Sequence, residues 1–207
     1  MEFGEFLYED VLEQVPHRQW VFSLPKRLRP YFLYDRGLLS KLSQCAWKVL
    51  SCYLRQGVSI EDPLPGAVIS VQTFGDFLNF NPHLHIIATD GCFNKDGSFI
   101  AGVVPNAEHL EALFRLEVLK MLKRERKITD AVIENMDTWY HSGFHVYYGD
   151  AILPDDEEGL ERLSRYVIRA PISQERMLYI PATQPVHGTA QVVYTAKNSS
   201  FSSVFRK

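Results

Sequence analysis

Asn81-Pro-His-Leu-His-Ile-Ile-Ala-Thr89 decides the fold. From His83 onward the segment reads as a β-strand, and side chains alternate across a strand, so His83 and His85 share one face and Leu84 takes the other. The preceding stretch, Ala67 to Thr73, is equally rich in Val and Ile. A loop holding Gly75, Asp76 and Asn79 joins the two, which predicts an antiparallel hairpin.

Working outward, Arg18 to Leu24 alternates as a strand that Pro25 ends, and Phe6 to Gln14 reads as a short helix before it. Tyr31 to Arg55 carries Leu38, Leu42, Ala46, Val49 and Leu50 on a helical period until Gly57, Pro63, Pro65 and Gly66 break it. Past the Asp90-Gly91 and Asp96-Gly97 turn signals, a short strand is expected near Ser98 to Ala101. Asn106 to Arg126 is a long amphipathic helix, and a second helix runs from Asp130 to Tyr140. Gly143 to Tyr148 alternates as another strand. The acids of Asp155 to Glu158 suit the first turn of a helix reaching Arg169, which Pro171 stops. Met177 to Ile180 and Ala190 to Thr195 predict a closing hairpin. The expected fold is α+β, a central antiparallel sheet covered by helices. Residues 1–196 are expected as one domain, with a loose, Ser-rich tail over 197–207.

Composition narrows the functional class. With 207 residues and 46% hydrophobic content the chain can bury a sizeable core. No apolar run approaches the roughly 18 residues that span a bilayer, and the N-terminus is acidic where a signal peptide would be basic. A cytoplasmic protein without membrane contact is therefore expected. Cys45, Cys52 and Cys92 fit neither a disulfide framework nor a zinc ribbon. The net charge of −3 conceals basic clusters at Lys26 to Arg29, at Lys120, Lys123, Arg124, Arg126 and Lys127, and at Arg162, Arg165 and Arg169. A helical run such as 120–127 is either a solvated face or a nucleic-acid contact.

Two imidazoles on one strand face make half a metal site, or else two hydrogen-bonded residues of a half-polar sheet. Gln72 on the neighbouring strand and His145 on a later one are candidates for a third ligand, and either can equally be a satisfied polar residue. His17 reads as structural. On the last long helix, 100° stepping sets Leu160, Leu163 and Val167 on one stripe and Arg162, Arg165 and Arg169 opposite, with Tyr166 at the border. A border tyrosine packs its ring and sends its hydroxyl to water, or, beside three arginines and a metal, becomes a nucleophile toward phosphate.

Taken together, Val15-Pro-His-Arg-Gln-Trp-Val-Phe-Ser-Leu-Pro25, Gly75-Asp-Phe-Leu-Asn-Phe-Asn-Pro-His-Leu-His85 with Asp90-Gly91, and Arg165-Tyr-Val-Ile-Arg-Ala-Pro-Ile-Ser173 resemble the tyrosine transposases of rolling-circle insertion sequences. These are HUH nucleases, named for a His, hydrophobic, His strand. The resemblance implies an HUH endonuclease-like sheet of RRM-like topology. It implies a divalent ion, Mg2+ or Mn2+, on His83 and His85, and Tyr166 attacking single-stranded DNA at transposon ends through a 5′-phosphotyrosine. It also makes Arg162, Arg165, Arg169, Lys120, Lys123, Arg124 and Lys127 candidate DNA contacts. Two-tyrosine members place their tyrosines four residues apart; here Arg162 stands in the second place, as in a single-tyrosine branch. Such transposases also carry a cysteine-rich zinc-binding segment ahead and further sequence behind, and neither is expected here. A noncatalytic single-stranded DNA-binding remnant is therefore the alternative, and a small metallohydrolase a third reading that leaves Tyr166 unused.

Overall fold

The computed structural model describes residues 3–75, 79–102, 104–167, 176–181, 191–195 and 202–206. The chain divides into two compact units, one of residues 1–72 and 82–169, the other of 73–81 and 170–207.

The first unit opens with α1 (Phe3–Phe6), which continues as a π-helical turn over Leu7–Val11. Strand β1 (His17–Ser23) follows, then α2 (Arg29–Tyr34) and α3 (Gly37–Gln56). The helical region expected over Tyr31 to Arg55 is thus two helices. Asp35 leaves helical space at φ −131°, ψ 91°, and its carboxylate accepts the Gly37 N–H at 3.1 Å, so it ends one helix and starts the next. Strands β2 (Ala67–Phe74) and β3 (Phe80–Thr89) form the hairpin. A small ribbon of β4 (Gly91–Phe93) and β5 (Phe99–Ala101) follows it. Helices α4 (Ala107–Arg124) and α5 (Asp130–Asp137), strand β6 (His145–Ile152) and helix α6 (Glu157–Val167) complete the unit.

The sheet is antiparallel in the order β2-β3-β1-β6. In chain order helices stand between β1 and β2 and between β3 and β6, which gives the βαββαβ pattern of an RRM-like sheet. One face is closed by helices. Phe22 lies opposite Leu84 in the β1–β3 register, and the Phe22 ring meets Phe114 of α4 edge-on at 4.9 Å. Trp20, Phe22, Leu84, Ile86 and Phe114 are all fully buried, each stabilising the fold by roughly 2–3 kcal/mol through transfer from water. Helix α3 packs against α4, burying Leu42, Ala46 and Leu50.

The opposite face carries the alternate residues, among them His83, His85 and Ile87. There Ile87 joins Leu12, Leu163 and Val167 in a second core, with Val68 and Ile152 packed against it. Helices α4 and α6 therefore lie on opposite sides of the sheet. Their layers are about 20 Å apart, two helix-to-sheet spacings of roughly 10 Å. No helix among the described residues is long and apolar enough to cross a membrane.

In the second unit the hairpin end closes with the Gly75 N–H donating to the Asn79 carbonyl at 3.0 Å. Strands β7 (Met177–Ile180), β8 (Gln191–Thr195) and β9 (Ser202–Arg206) form an antiparallel meander. The segment 197–207, expected as a loose tail, thus contains a strand. Its ladder to β8 uses backbone groups, which the Ser-rich composition does not betray.

Candidate active site

Strand alternation delivers the two histidines as expected. Their rings lie 4.9 Å apart, with His85 only 4% exposed and His83 half-buried. Burial first, then the neighbouring His83, hold the His85 imidazole down to a pKa of about 4. It is therefore neutral at physiological pH, the form in which imidazole binds metals. Its Nδ1 is buried without a hydrogen-bond partner among the described residues, a deficit of roughly 1–3 kcal/mol unless something satisfies the ring.

Helix α6 brings the tyrosine. The Asp156 carboxylate accepts the Gly159 N–H at 2.9 Å and caps the first turn. Leu160, Leu163 and Val167 are buried, and the Ser164 hydroxyl donates to the Leu160 carbonyl at 2.9 Å, which removes its polarity from the core. This seating fixes the rotation of the helix. Tyr166 emerges at the edge of the buried stripe, 45% exposed, with its ring edge-on to His85 at 5.2 Å. Residues 81 positions apart in sequence thus become direct neighbours.

Arg162 and Arg165 are exposed beside it, paired with Glu158 at 3.6 Å and Glu161 at 2.6 Å one turn back. Exposed pairs at this spacing are worth about 0.3–0.5 kcal/mol, so an incoming phosphate can displace the carboxylates. Arg169 and the loop residue Asp76 lie outside the described residues.

Among the described residues no group of three His, Cys, Asp or Glu is assembled as a metal site. An amide oxygen is not in that set. Alternation from Val68, which packs toward Ile87, carries half-buried Gln72 to the histidine face. His145 is on this face too, because Ser23 pairs with His83 on one side and with His145 on the other. It is exposed on an edge strand, two strand spacings from His83. His17 is buried, with Nδ1 at 2.8 Å from the Val15 carbonyl, in a structural role.

The basic run on α4 is not brought to these residues. Lys120, Lys123 and Arg124 project from the helix on the far side of the sheet. Lys120 neighbours Glu117, Lys123 pairs with Asp130, Arg124 lies near Glu125, and Lys127, just beyond the helix, pairs with Asp35.

Sequence reasoning missed the bond that frames the site. Arg18 donates from Nε to Asp90 Oδ1 at 2.8 Å, from Nη2 to Oδ2 at 2.7 Å, and from Nη1 to the Gly149 carbonyl at 2.7 Å. One guanidinium thereby ties β1 to the end of β3 and to β6. Both partners stand in quoted motif stretches, yet 72 positions separate them, and no local pattern pairs residues at that range.

Comparison with known proteins places the chain in a family. The family model Y2_Tnp, described as "Putative transposase", matches residues 66–204, a span that includes His83, His85 and Tyr166. The transposase for insertion sequence element IS801 from Pseudomonas savastanoi pv. phaseolicola is 32% identical over 87 residues, 42% of this chain and 20% of that protein. The chain thus aligns with only about a fifth of the length of that curated relative. No solved structure matches. With well over half of its length matched by the family model, the chain belongs to the Y2_Tnp family of transposases.

Proposed function

We propose that the protein nicks and rejoins single-stranded DNA at transposon ends, with Tyr166 as its one nucleophile. The observation that carries this reading is the contact of Tyr166 with His85: a half-exposed phenol stands beside a pair of imidazoles, that of His85 neutral, with arginines on the same helix. Nucleophile, metal ligands and phosphate-binding cations are what phosphoryl transfer to a side chain needs.

The phenolic oxygen forms the new bond to phosphorus while the bond to the DNA 3′-oxygen breaks. The phenol's proton goes to water, and the departing oxygen takes one from water. The products are a 5′-phosphotyrosine and a free 3′-hydroxyl, so the phosphodiester's energy is kept for rejoining. Arg162 and Arg165 hold the scissile phosphate, exchanging Glu158 and Glu161 for its oxygens. The second position of a tyrosine pair is Arg162, which favours a single-tyrosine chemistry.

The buried Nδ1 of His85 and the neutral state of its ring fit a divalent cation. His83 and His85 would hold it, with Gln72 as the favoured third ligand over His145, since β2 adjoins β3 directly. Mg2+ or Mn2+, when bound, would polarise the phosphorus and offset charge on the non-bridging oxygens.

Incubation with varied single-stranded oligonucleotides and Mn2+, followed by a denaturing gel, tests the proposal. A covalent adduct that maps to Tyr166 and vanishes in Tyr166→Phe is expected. An adduct on another tyrosine refutes the assignment, and DNA binding with no adduct on any sequence favours the binding-only remnant.

A further inference from the structure

Helix α6 covers only half of the face that carries the histidines. Its cluster sits where His17 pairs with Thr89 and with Ile152. Toward the other end no helix among the described residues joins that cluster, and the face is partly exposed. There β1 presents Val21 and Ser23, half-buried rather than covered, and β6 presents His145 and Tyr147, the latter 52% exposed. The cross-strand register arranges these side chains in two rows, His85–Val21–Tyr147 and His83–Ser23–His145. Each row spans two strand spacings, about 10 Å. Small residues in the middle and rings at both sides make a shallow trough with β1 as its floor. Tyr166 and the histidines form one wall.

Folding does not explain Tyr147. Its neighbours Val146 and Tyr148 serve the opposite face, where Val146 is buried and Tyr148 packs against Trp20. Tyr147 makes no hydrogen bond or ring contact among the described residues. At the Ser23 end the chain turns through Pro25 and exposes Lys26 and Arg27, neither of which pairs with an acid among the described residues. The α4 cations, by contrast, all have acidic neighbours.

The geometry points to this trough as the seat of the unpaired DNA strand next to the scissile phosphate, with a base stacked on Tyr147 and phosphates met by Lys26 and Arg27. The occupant follows from continuity: a strand attacked at Tyr166 has to leave across the adjoining surface, and the partly exposed half of the face is that surface. Exposed aromatics accept any base by its π-face and cations track the backbone, whereas a duplex keeps its bases stacked inside. This rests on the proposed role of Tyr166 only in fixing where the strand begins.

Fluorescence anisotropy with a labelled oligothymidylate of about 20 nucleotides, longer than the roughly 4–16 of a typical single-strand site, tests it. Tyr147→Ala weakens binding roughly 5- to 150-fold, the range of one base–aromatic stack, while Tyr147→Phe stays within about twofold because the ring remains. The double change Lys26→Ala, Arg27→Ala lowers the salt slope of log K by about 1.4, or roughly 0.7 per phosphate. Lys48→Ala on α3 changes neither. Wild-type affinity in Tyr147→Ala, or equal losses in the Ala and Phe variants, overturns the trough. If those variants bind normally while wild type forms the Tyr166 adduct, the trough falls and the nicking reading stands. If they bind weakly while wild type forms no adduct, the trough stands and the nicking reading falls. Absence of any wild-type binding overturns both.

Discussion

Replacing Arg18 by Ala should cost about 3 kcal/mol of stability, and the figure follows from the environment of its guanidinium. Side-chain exposures of 11% for Arg18 and 16% for Asp90 place the pair near the buried limit. Exposed ion pairs are worth about 0–1 kcal/mol, whereas removing one partner of a buried pair costs about 3–5 kcal/mol because the other charge is left desolvated. The bidentate fork and the third bond to Gly149 place the clamp nearer the second case. The guanidinium also lies 5.6 Å from the Tyr148 ring centroid, so some packing goes with it.

Urea unfolding measures the loss. With m near 2 kcal/mol/M, a 3 kcal/mol loss moves the midpoint down by about 1.5 M. Arg18→Lys keeps the charge without the fork and should recover less than half. In a double-mutant cycle with Asp90→Ala the coupling should be about 1.5–3 kcal/mol, since each single change already breaks the pair. Near-complete suppression of the coupling by salt would mean that water reaches the pair. Coupling below about 0.5 kcal/mol would refute the clamp itself.

Two further outcomes follow from buried groups. Burial lowers the pKa of both His17 and His85, the latter from 6.5 to about 4. Between these values the unfolded chain binds protons that the folded one refuses, so stability is full above pH 6.5 and falls as pH drops toward about 4. His85 accounts for at most about 3 kcal/mol of that loss; urea unfolding of metal-free protein across pH measures it, and an unchanged acid limb in His85→Gln contradicts the assignment. Gly91→Ala would drive a Cβ against the Ile100 carbonyl oxygen and the Ala101 backbone. A loss of about 3 kcal/mol, read as a drop of roughly 6–12 °C in Tm, is expected, and an unshifted melt would show that the β4–β5 ribbon yields freely.

Much of the site was legible because it depends on two short periods. Alternation put His83 and His85 on one face, and helical stepping put Leu160, Leu163 and Val167 inward, which leaves Tyr166 at the border of the stripe. The fate of the 120–127 run was not legible. An apolar stripe tells what a helix buries, not which face of a sheet it is buried against, and α4 took the face away from Tyr166. The break at Asp35 was hidden because apolar residues continue on both sides of it. The ribbon strand β4 is too short, at three residues, to show a period. The side-by-side seating of Tyr166 and His85 is tertiary, and only the family resemblance anticipated it.

A single irregularity in β6 reconciles the two cores with the open trough. Between Arg18 and Trp20 the β1–β6 register shifts, from Arg18 opposite Ala151 to Trp20 opposite Tyr148. Regular alternation would send Val146, Tyr148 and Ile152 to the same face. The bulge reverses the phase, so Val146 and Tyr148 serve the α3–α4 side while Ile152 packs beneath α6. Before the bulge, Tyr147 and His145 turn toward the histidine face; after it, Ile152 does. One strand can thus help seat the helix that carries Tyr166 and also offer an exposed ring beside it. Such an extra residue leaves backbone groups without ladder partners, and here the Gly149 carbonyl accepts the third bond of Arg18. The same guanidinium that holds Asp90 at the end of β3 therefore stabilises the phase change in β6. That links the bulge to the two strands that present His85 and Tyr147.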